Sequence, residues 1–231
     1  MGCGVGGDVY DLILKKKEAH IVRLSNSHRQ FLLQAANQYA NQIHLAEEYL
    51  ATRNLSVEEA RRFHLGVVKD ALPGHEQYSD RLAIPYITPS GVVDIRFRAM
   101  NGAEPKYMGM PGAKTSMFNA QVVLTASDYI CVTEGEIDCI TLNVKTKHPA
   151  VGIPGANNWK PFYTRILDDF DTVIVLADGD GPGLEFGKKI GKELSNVNII
   201  QMPEGHDVNS IVHKEGVDFI NERIAKCLNV K

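Results

Sequence analysis

The sequence lacks a long hydrophobic run, a cysteine framework and a strong excess of either charge. No stretch approaches the run of about 20 apolar residues that a membrane span needs, and the glycine-rich start has no apolar signal-peptide core. We therefore expect a cytoplasmic protein with no membrane partner. Its 231 residues are 44% hydrophobic, which is enough for one large domain or two small ones with a buried core.

The four cysteines are scattered without a paired spacing. They are Cys3, Cys131, Cys139 and Cys227. Cys131 and Cys139 lie in apolar segments that we expect to be buried. The pattern predicts neither a disulfide framework nor a complete zinc site.

Charge is distributed unevenly, although the net charge is only −3. Residues 1–120 contain 14 Lys and Arg against 12 Asp and Glu, whereas residues 121–231 contain 11 against 16. The chain is not basic enough overall to indicate nucleic-acid binding by charge alone. A polyanionic partner would have to bind through a local basic patch or through metal ions.

The first part of the chain is predicted to be helical and then strand-rich. Apolar residues recur at helical spacing from about residue 31, with Ser27 as the predicted N-cap, and Ser56 with Glu59 forms a capping box for a second helix. From residue 81 the pattern changes to short apolar runs (LAIPYI, VVDIRF) separated by turn sequences. No internal repeat or low-complexity segment is present.

The second half alternates strands with helices. Four short apolar runs (YICV, AVGI, TVIVL and NII) are each followed by a helical pattern, which predicts a parallel sheet covered on both faces. The fold class is therefore α/β, an α+β subdomain followed by a parallel-sheet α/β subdomain. Ligands of such sheets bind beyond the carboxyl ends of the strands.

Acidic residues cluster just after these predicted strands. They are Glu134, Asp178, Asp180 and Asp207. Carboxylates gathered without matching cations repel one another unless an ion neutralises them, and all-oxygen ligation suits Mg²⁺ or Mn²⁺. The sequence thus predicts a metal site, with phosphoryl or nucleotidyl transfer as its reaction class.

Each acidic motif also has a simpler interpretation. Asp-Gly pairs are common in turns, so the DGDGPG segment is about as consistent with a connecting loop. The acids of EGEID, including Glu136, are also favoured at a helix N-terminus by the helix dipole. The two motifs favour a shared site because both occur, in this order, in one alternating unit.

Together these motifs resemble the TOPRIM fold of DnaG-type primases, topoisomerases and some nucleases. The resemblance rests on Glu134-Gly135-x-x-Asp138 after one strand and on Asp178-x-Asp180 with Gly183 after another. Residues 49–68 and 81–118, which include a Pro-Lys-Tyr sequence, resemble the RNA-polymerase domain of bacterial and bacteriophage primases. The opening CGVGGDVYDLI is similar to the tail of the primase zinc ribbon.

The resemblance implies a domain order and a function. It implies a zinc-ribbon remnant and linker at 1–26, a helical and strand-rich subdomain at 27–126 and a TOPRIM catalytic subdomain at 127–231. The implied activity is DNA-directed synthesis of short RNA primers during replication, in the cytoplasm of a bacterium or a phage-infected host. The implied partners are single-stranded DNA, ribonucleoside triphosphates, a replicative helicase and a separate zinc-binding module.

The resemblance also assigns roles to the acidic residues. Glu134, Asp178 and Asp180 are implied to be catalytic and, with Asp207, to hold two Mg²⁺ or Mn²⁺ ions. Asp138 is expected to have a supporting role. Asn209 stands where the commonest primase pattern has a second Asp, so it is also assigned a supporting role. With only Cys3 of a zinc ribbon left, zinc is not expected in this chain.

Basic residues of the strand-rich segment match or neighbour positions that contact template or nucleotide in the family. They are Arg81, Arg96, Arg98 and Lys106. Arg96 and Arg98 are expected to share one face of a strand because they are two residues apart. Tyr107 is a candidate for base stacking. Asn119 stands where many primases have Lys, so Lys114 is a further candidate cation.

Three alternatives remain at this point. The basic residues are also consistent with a solvated sheet face. A metal-dependent TOPRIM nuclease would use the same carboxylates, and a non-catalytic TOPRIM DNA-binding module would tolerate a degenerate acidic site. The primase-like segments at 49–68 and 81–118 favour the primase.

Overall fold

A computed structural model describes residues 24–113, 116–155 and 158–229. Lys114 and nearly all of the predicted zinc-ribbon remnant lie outside these residues. Within them, no helix is long and apolar enough to cross a membrane. Cys131 and Cys139 are fully buried, which confirms the prediction for those two side chains.

The described chain opens with helices. These are α1 (Asn26–Ala40), a 3₁₀ turn (Ile43–Ala46), α2 (Glu47–Thr52) and α3 (Val57–Arg61). The predicted capping box of α3 is confirmed, because the Ser56 hydroxyl accepts from the Glu59 N–H at 3.1 Å and the Glu59 carboxylate accepts from the Ser56 N–H at 2.8 Å. The predicted N-cap of α1 was wrong. Ser25 caps that helix by accepting from the His28 N–H at 3.2 Å, while Ser27 lies in the first turn.

An antiparallel sheet follows, in the order β1-β2-β3-β4. Its strands are β1 (Gly66–Val67), β2 (Leu82–Thr88), β3 (Gly91–Arg98) and β4 (Tyr107–Met108). Ile95 and Phe97 of β3 pack with α1 in one hydrophobic cluster. Since successive side chains of a strand point to opposite faces, Arg96 and Arg98 project from the other face, as predicted.

The second sheet is parallel, as predicted, in the order β6-β5-β7-β8. Its strands are β5 (Tyr129–Thr133), β6 (Ala150–Gly152), β7 (Thr172–Ala177) and β8 (Val197–Gln201). The intervening and following helices are α4 (Glu136–Thr141), α5 (Pro161–Leu167), α6 (Gly181–Glu193), α7 (Val208–Glu215) and α8 (Asp218–Leu228).

Helices cover both faces of this sheet, which confirms the predicted packing. Ile130 and Val173 pack in a cluster with residues of α5 and α6, whereas Cys131 and Ile174 pack with residues of α4, α7 and α8. The cluster that contains Cys131 and Ile174 also contains Ile84 of β2. The two sheets therefore share one hydrophobic core, which places β3 opposite the carboxyl ends of the parallel strands.

A close backbone contact joins two of the loops at that edge. The Gly179 N–H donates to the His206 carbonyl at 2.8 Å, and the Gly205 N–H donates to the Gly179 carbonyl at 2.9 Å. A Cβ atom on Gly179 would lie 1.8 Å from the Pro203 carbonyl oxygen. Glycine at 179 thus allows the loop after β7 to hold the loop that leads to α7.

We predict that Gly179→Ala lowers the free energy of unfolding by about 1–3 kcal/mol, because the new methyl group overlaps backbone atoms that cannot rotate away. Gly181→Ala is the matched control, since a Cβ there meets no atom within 4 Å. Its unfolding free energy should stay within about 0.5 kcal/mol of the wild type. Urea unfolding followed by circular dichroism measures both, and equal stability of the two variants would contradict the prediction.

Candidate metal and phosphate site between the two sheets

A cavity of about 460 Å³ opens between the antiparallel sheet and the carboxyl ends of the parallel strands. Its acidic side is formed by Glu134, Asp138, Asp178 and Asp207, and its basic side by Arg53, Arg96, Arg98 and Lys106. Carboxylates that are far apart in the sequence meet here because β5 and β7 are neighbouring parallel strands that end at one edge. We call these two sides the acidic wall and the basic wall.

Helix N-termini position part of the acidic wall. Asp207 caps α7, with Oδ1 accepting from the Ser210 N–H at 2.7 Å. Asp180 caps α6 in the same way, accepting from the Gly183 N–H at 2.7 Å. Its side chain is exposed and lies outside the cavity lining. Each capping bond uses only one oxygen of its carboxylate.

Asp178 is the most perturbed carboxylate of the acidic wall. Burial, followed by the negative charges of Asp138 and Asp207, raises the pKa of Asp178 to about 8, and Glu134 and Asp180 add to the shift. Its Oδ1 atom is buried and has no hydrogen-bond partner among the described residues. A buried carboxylate oxygen without a partner, surrounded by other carboxylates, is an unfavourable arrangement in the absence of a cation.

The neighbouring carboxyls are perturbed in the same direction. Burial, and then the charge of Asp207, raises the pKa of Asp138 to about 7, against the opposing effect of the Asn209 N–H. Burial, and then the charge of Asp180, raises the pKa of Glu134. These three carboxyls therefore lack enough nearby positive charge to offset their burial.

The donor chemistry of the acidic wall fits a divalent metal. Its free atoms are carboxylate oxygens, which are the preferred ligands of Mg²⁺ and Mn²⁺, and the partnerless Asp178 Oδ1 is available. Within the described ranges, no three His, Cys, Asp or Glu side chains already form a metal-binding group. The acidic wall thus has suitable ligands but not a closed coordination sphere.

Tyr107 contacts both arginines that β3 contributes to the basic wall. The Arg96 guanidinium is 4.6 Å from the centre of the Tyr107 ring, and the Arg98 guanidinium is 5.0 Å from it. Arg98 also donates a hydrogen bond from Nη1 to the Tyr107 hydroxyl. Arg98 is only 5% exposed, and its Nε is buried without a partner among the described residues. Lys106 is exposed at the rim.

Arg81, the fourth predicted cation, does not line the cavity. It is nearly buried and donates from Nη1 to the Pro105 carbonyl at 2.8 Å. This contact holds the chain next to Lys106.

Comparisons with known proteins agree with this fold and site. Residues 131–212 match the family model described as Toprim-like. A Gene 57 protein of Mycobacterium phage D29 is 45% identical over 152 residues, which cover 64% of this chain and 99% of the phage protein. A DNA primase of Buchnera aphidicola is 25% identical over 174 residues, which cover 68% of this chain and 30% of that primase. A solved DnaG primase catalytic domain bound to single-stranded DNA has a TM-score of 0.67 and 20% identity, over 87% of this chain and 80% of that one.

The chain belongs to the same family as this phage protein, contains a Toprim-like domain and is related in sequence to bacterial DNA primases. It spans about a third of the length of the bacterial primases that it matches. The α/β fold with a TOPRIM parallel sheet, which the motifs around Glu134 and Asp178 predicted, is confirmed.

Asn209 does not line the cavity. It is 3% exposed, its N–H donates to Asp138 Oδ1 at 2.8 Å, and its amide nitrogen donates to the Arg53 carbonyl at 2.7 Å and to Thr141 Oγ1 at 2.9 Å. An aspartate at this position could not donate to those two oxygens. The amide thus suits the local hydrogen bonding.

Sequence reasoning missed two charged residues of the cavity. Arg53 follows α2 and is about 80 residues before Glu134, so no local pattern pointed to it. Glu136 was noted only as an acid at a helix start, yet it forms an ion pair with Arg96, with 2.6 Å between Oε1 and Nη1. The alternation of charges in EGEID and DIRFR was the available signal, but it does not specify that these segments face each other.

We predict a pH dependence of stability that originates at Asp178. Because its pKa rises from the ordinary 3.8 to about 8 on folding, the folded protein holds a proton that the unfolded chain releases. In EDTA, the unfolding free energy of the wild type should therefore fall between about pH 4 and pH 8. Asp178→Asn should remove part of this fall, on the order of 2 kcal/mol after allowance for solvent screening.

Urea unfolding at pH 5 and pH 8 measures this difference. Asp169→Asn, which changes an exposed carboxylate, is the control and should follow the wild type. If Asp178→Asn retains the full fall, the raised pKa is not the cause.

Proposed function

We propose that this chain is the catalytic core of a DNA primase, which synthesises short RNA primers on single-stranded DNA from ribonucleoside triphosphates. The observation that carries the proposal is the cavity itself, in which a carboxylate wall faces a cationic wall. Metal-assisted nucleotidyl transfer needs both, because the triphosphate must contact metal ions on one side and positive side chains on the other. The DNA-bound primase domain of similar fold supports a single-stranded template.

The acidic wall would hold the metal. We assign Glu134, Asp178 and Asp207 as ligands that line the cavity, and Asp180 as the outer member of the catalytic set. When bound, Mg²⁺ or Mn²⁺ would neutralise these carboxylates and supply Lewis acidity at the attacking hydroxyl and the triphosphate. Asp138 supports the set from behind. It is 5% exposed and holds the start of α7 through the Asn209 N–H.

The basic wall would orient the phosphates. Arg98 and Arg53 each present a planar guanidinium, a shape that pairs well with phosphate oxygens, and Lys106 adds a flexible positive charge at the rim. Burial, and then the charge of Glu136, raises the pKa of Tyr107. The Tyr107 phenol thus stays neutral at physiological pH and leaves the charge of Arg98 available for phosphate. Arg81 would act indirectly, through the chain at Pro105.

Other partners of the family belong to the same proposal. We expect a replicative helicase and a separate zinc-binding module to cooperate with this chain. The acidic and basic walls alone would provide chemistry but little template selectivity.

We expect Asp178→Asn to abolish primer synthesis, because it removes the buried ligand charge at the centre of the acidic wall. The assay combines the purified chain, single-stranded DNA, labelled ribonucleotides and Mg²⁺ or Mn²⁺, and resolves the products by length. A variant that is folded by circular dichroism and still makes RNA would refute the site assignment. Cleaved DNA in place of RNA would identify a nuclease instead.

We also expect Lys106→Gln to weaken binding of single-stranded DNA and to reduce the slope of log K against log salt by about 0.7, the value for one lost phosphate contact on a single strand. Lys226→Gln removes the same charge from an exposed position of α8 and should leave the slope unchanged. Fluorescence anisotropy over a range of salt concentrations measures both. Equal slopes for the two variants would place Lys106 outside the DNA contact.

A further inference from the structure

An ion pair links Arg96 of the basic wall to the buried carboxylate of Glu136, which lines the cavity beside the acidic wall. Glu136 Oε1 lies 2.6 Å from Arg96 Nη1, and the Glu136 side chain is 1% exposed. The Tyr86 hydroxyl donates to the same oxygen at 2.7 Å. Both partners of Glu136 come from the antiparallel sheet, whereas Glu136 is the first residue of α4 at the edge of the parallel sheet.

The positions of the two charges connect this pair to the site. Glu136 lies between Glu134 and Asp138 in one short segment, so its carboxylate is fixed to the acidic wall. Arg96 lies on the same face of β3 as Arg98 and is thereby fixed to the basic wall. Their contact of 2.6 Å therefore links the two walls directly.

The pair also affects Arg98 through Tyr107. Arg96 packs against the Tyr107 ring. The hydroxyl of Tyr107 accepts a hydrogen bond from Arg98. With its charge matched by Glu136, Arg96 is poorly suited to bind a phosphate itself. It acts instead as the support that keeps the Tyr107 ring, and so the Arg98 guanidinium, in place.

We propose that Glu136 is a positioning residue that, through Arg96, sets the spacing between the acidic and the basic wall. The inference rests on the proposed function, since it assumes that a metal-bound nucleoside triphosphate spans both walls. A ligand that touches both walls should be sensitive to the pair, and a ligand of the acidic wall alone should not. A purely structural ion pair would behave differently. Its loss would lower stability without changing the affinity for Mg²⁺·GTP relative to the affinity for Mg²⁺ alone.

The test uses equilibrium binding to the full chain, without template. Isothermal titration calorimetry measures the dissociation constant of Mg²⁺ alone and of Mg²⁺ with GTP. The variants are Glu136→Gln, which keeps the shape but removes the charge, Arg96→Met, and the double variant. Lys145→Met is the matched control, because Lys145 Nζ pairs with Glu59 of α3 at 2.8 Å and also joins the two sheet units, but outside the cavity lining.

We expect Glu136→Gln and Arg96→Met each to weaken Mg²⁺·GTP binding by on the order of tenfold, since small displacements of a bound ligand's contacts carry large costs. Binding of Mg²⁺ alone should change less than about twofold. The double variant should be no weaker than the weaker single variant, because both changes break one interaction. Lys145→Met should bind both ligands as the wild type does.

Four results would overturn the inference. Tighter Mg²⁺·GTP binding by Glu136→Gln would mean that the released Arg96 binds phosphate directly. Wild-type binding by Glu136→Gln, or a loss equal to that of Lys145→Met, would mean a structural pair only. If Glu136→Gln does not fold, the double variant decides, since it leaves no unpaired buried charge, and wild-type binding by it refutes the inference.

The outcome is separable from that of the proposed function. A wild type that binds Mg²⁺·GTP but makes no RNA on single-stranded DNA refutes the primase activity, while the effect of Glu136 on binding is still measured. A wild type that makes RNA, with a Glu136→Gln variant that binds normally, refutes the positioning role alone. A wild type that does not bind Mg²⁺·GTP refutes both.

Discussion

Repulsion between carboxylates at the edge of the parallel sheet is the constraint around which the site is built. Asp178 is held close enough to Asp138 and Asp207 for their charges, added to burial, to raise its pKa to about 8. Like charges in a low-dielectric environment oppose folding, so the fold must restrain them by other interactions. The hydrophobic faces of the sheet and the backbone bonds around Gly179 provide that restraint. The repulsion between the carboxylates therefore lowers the stability of the fold at the position where a cation would bind.

The basic side of the cavity depends on packing between the sheets. Ile84 of β2 and Ile137 of α4 belong to one hydrophobic cluster, so the antiparallel sheet is docked against the helix that follows the acidic motif. Charged side chains at such a seam are costly unless they are paired. Arg96 is paired with Glu136, and the neighbouring Arg98 is stacked on Tyr107 with part of its guanidinium unsatisfied. Arg96 thus has a carboxylate partner, whereas Arg98 has no ion-pair partner among the described residues, which agrees with the different roles that we propose for them.

The hydrogen bonds of Asn209 illustrate how neighbouring contacts determine which residue type suits a position. Two acceptors, the Arg53 carbonyl and Thr141 Oγ1, surround its amide nitrogen. Only a donor satisfies them, and an additional carboxylate there would add to the repulsion around Asp138. The same amide connects α7 to the segment that carries Arg53, so it supports both walls at once.

Local sequence was sufficient for the secondary structure, the parallel sheet and the gathering of Glu134, Asp178 and Asp207. Periodicity and capping act over a few residues, and parallel strands bring their carboxyl ends to one edge whatever the loops do. The N-cap of α1 was misplaced because Ser25 and Ser27 are equivalent as isolated residues. Tertiary structure alone decided that Arg53 enters the cavity, that Asp180 and Arg81 lie outside its lining and that Glu136 pairs with Arg96. Those outcomes depend on how two sheets, far apart in sequence, share one core, and no short-range pattern encodes the distance between them.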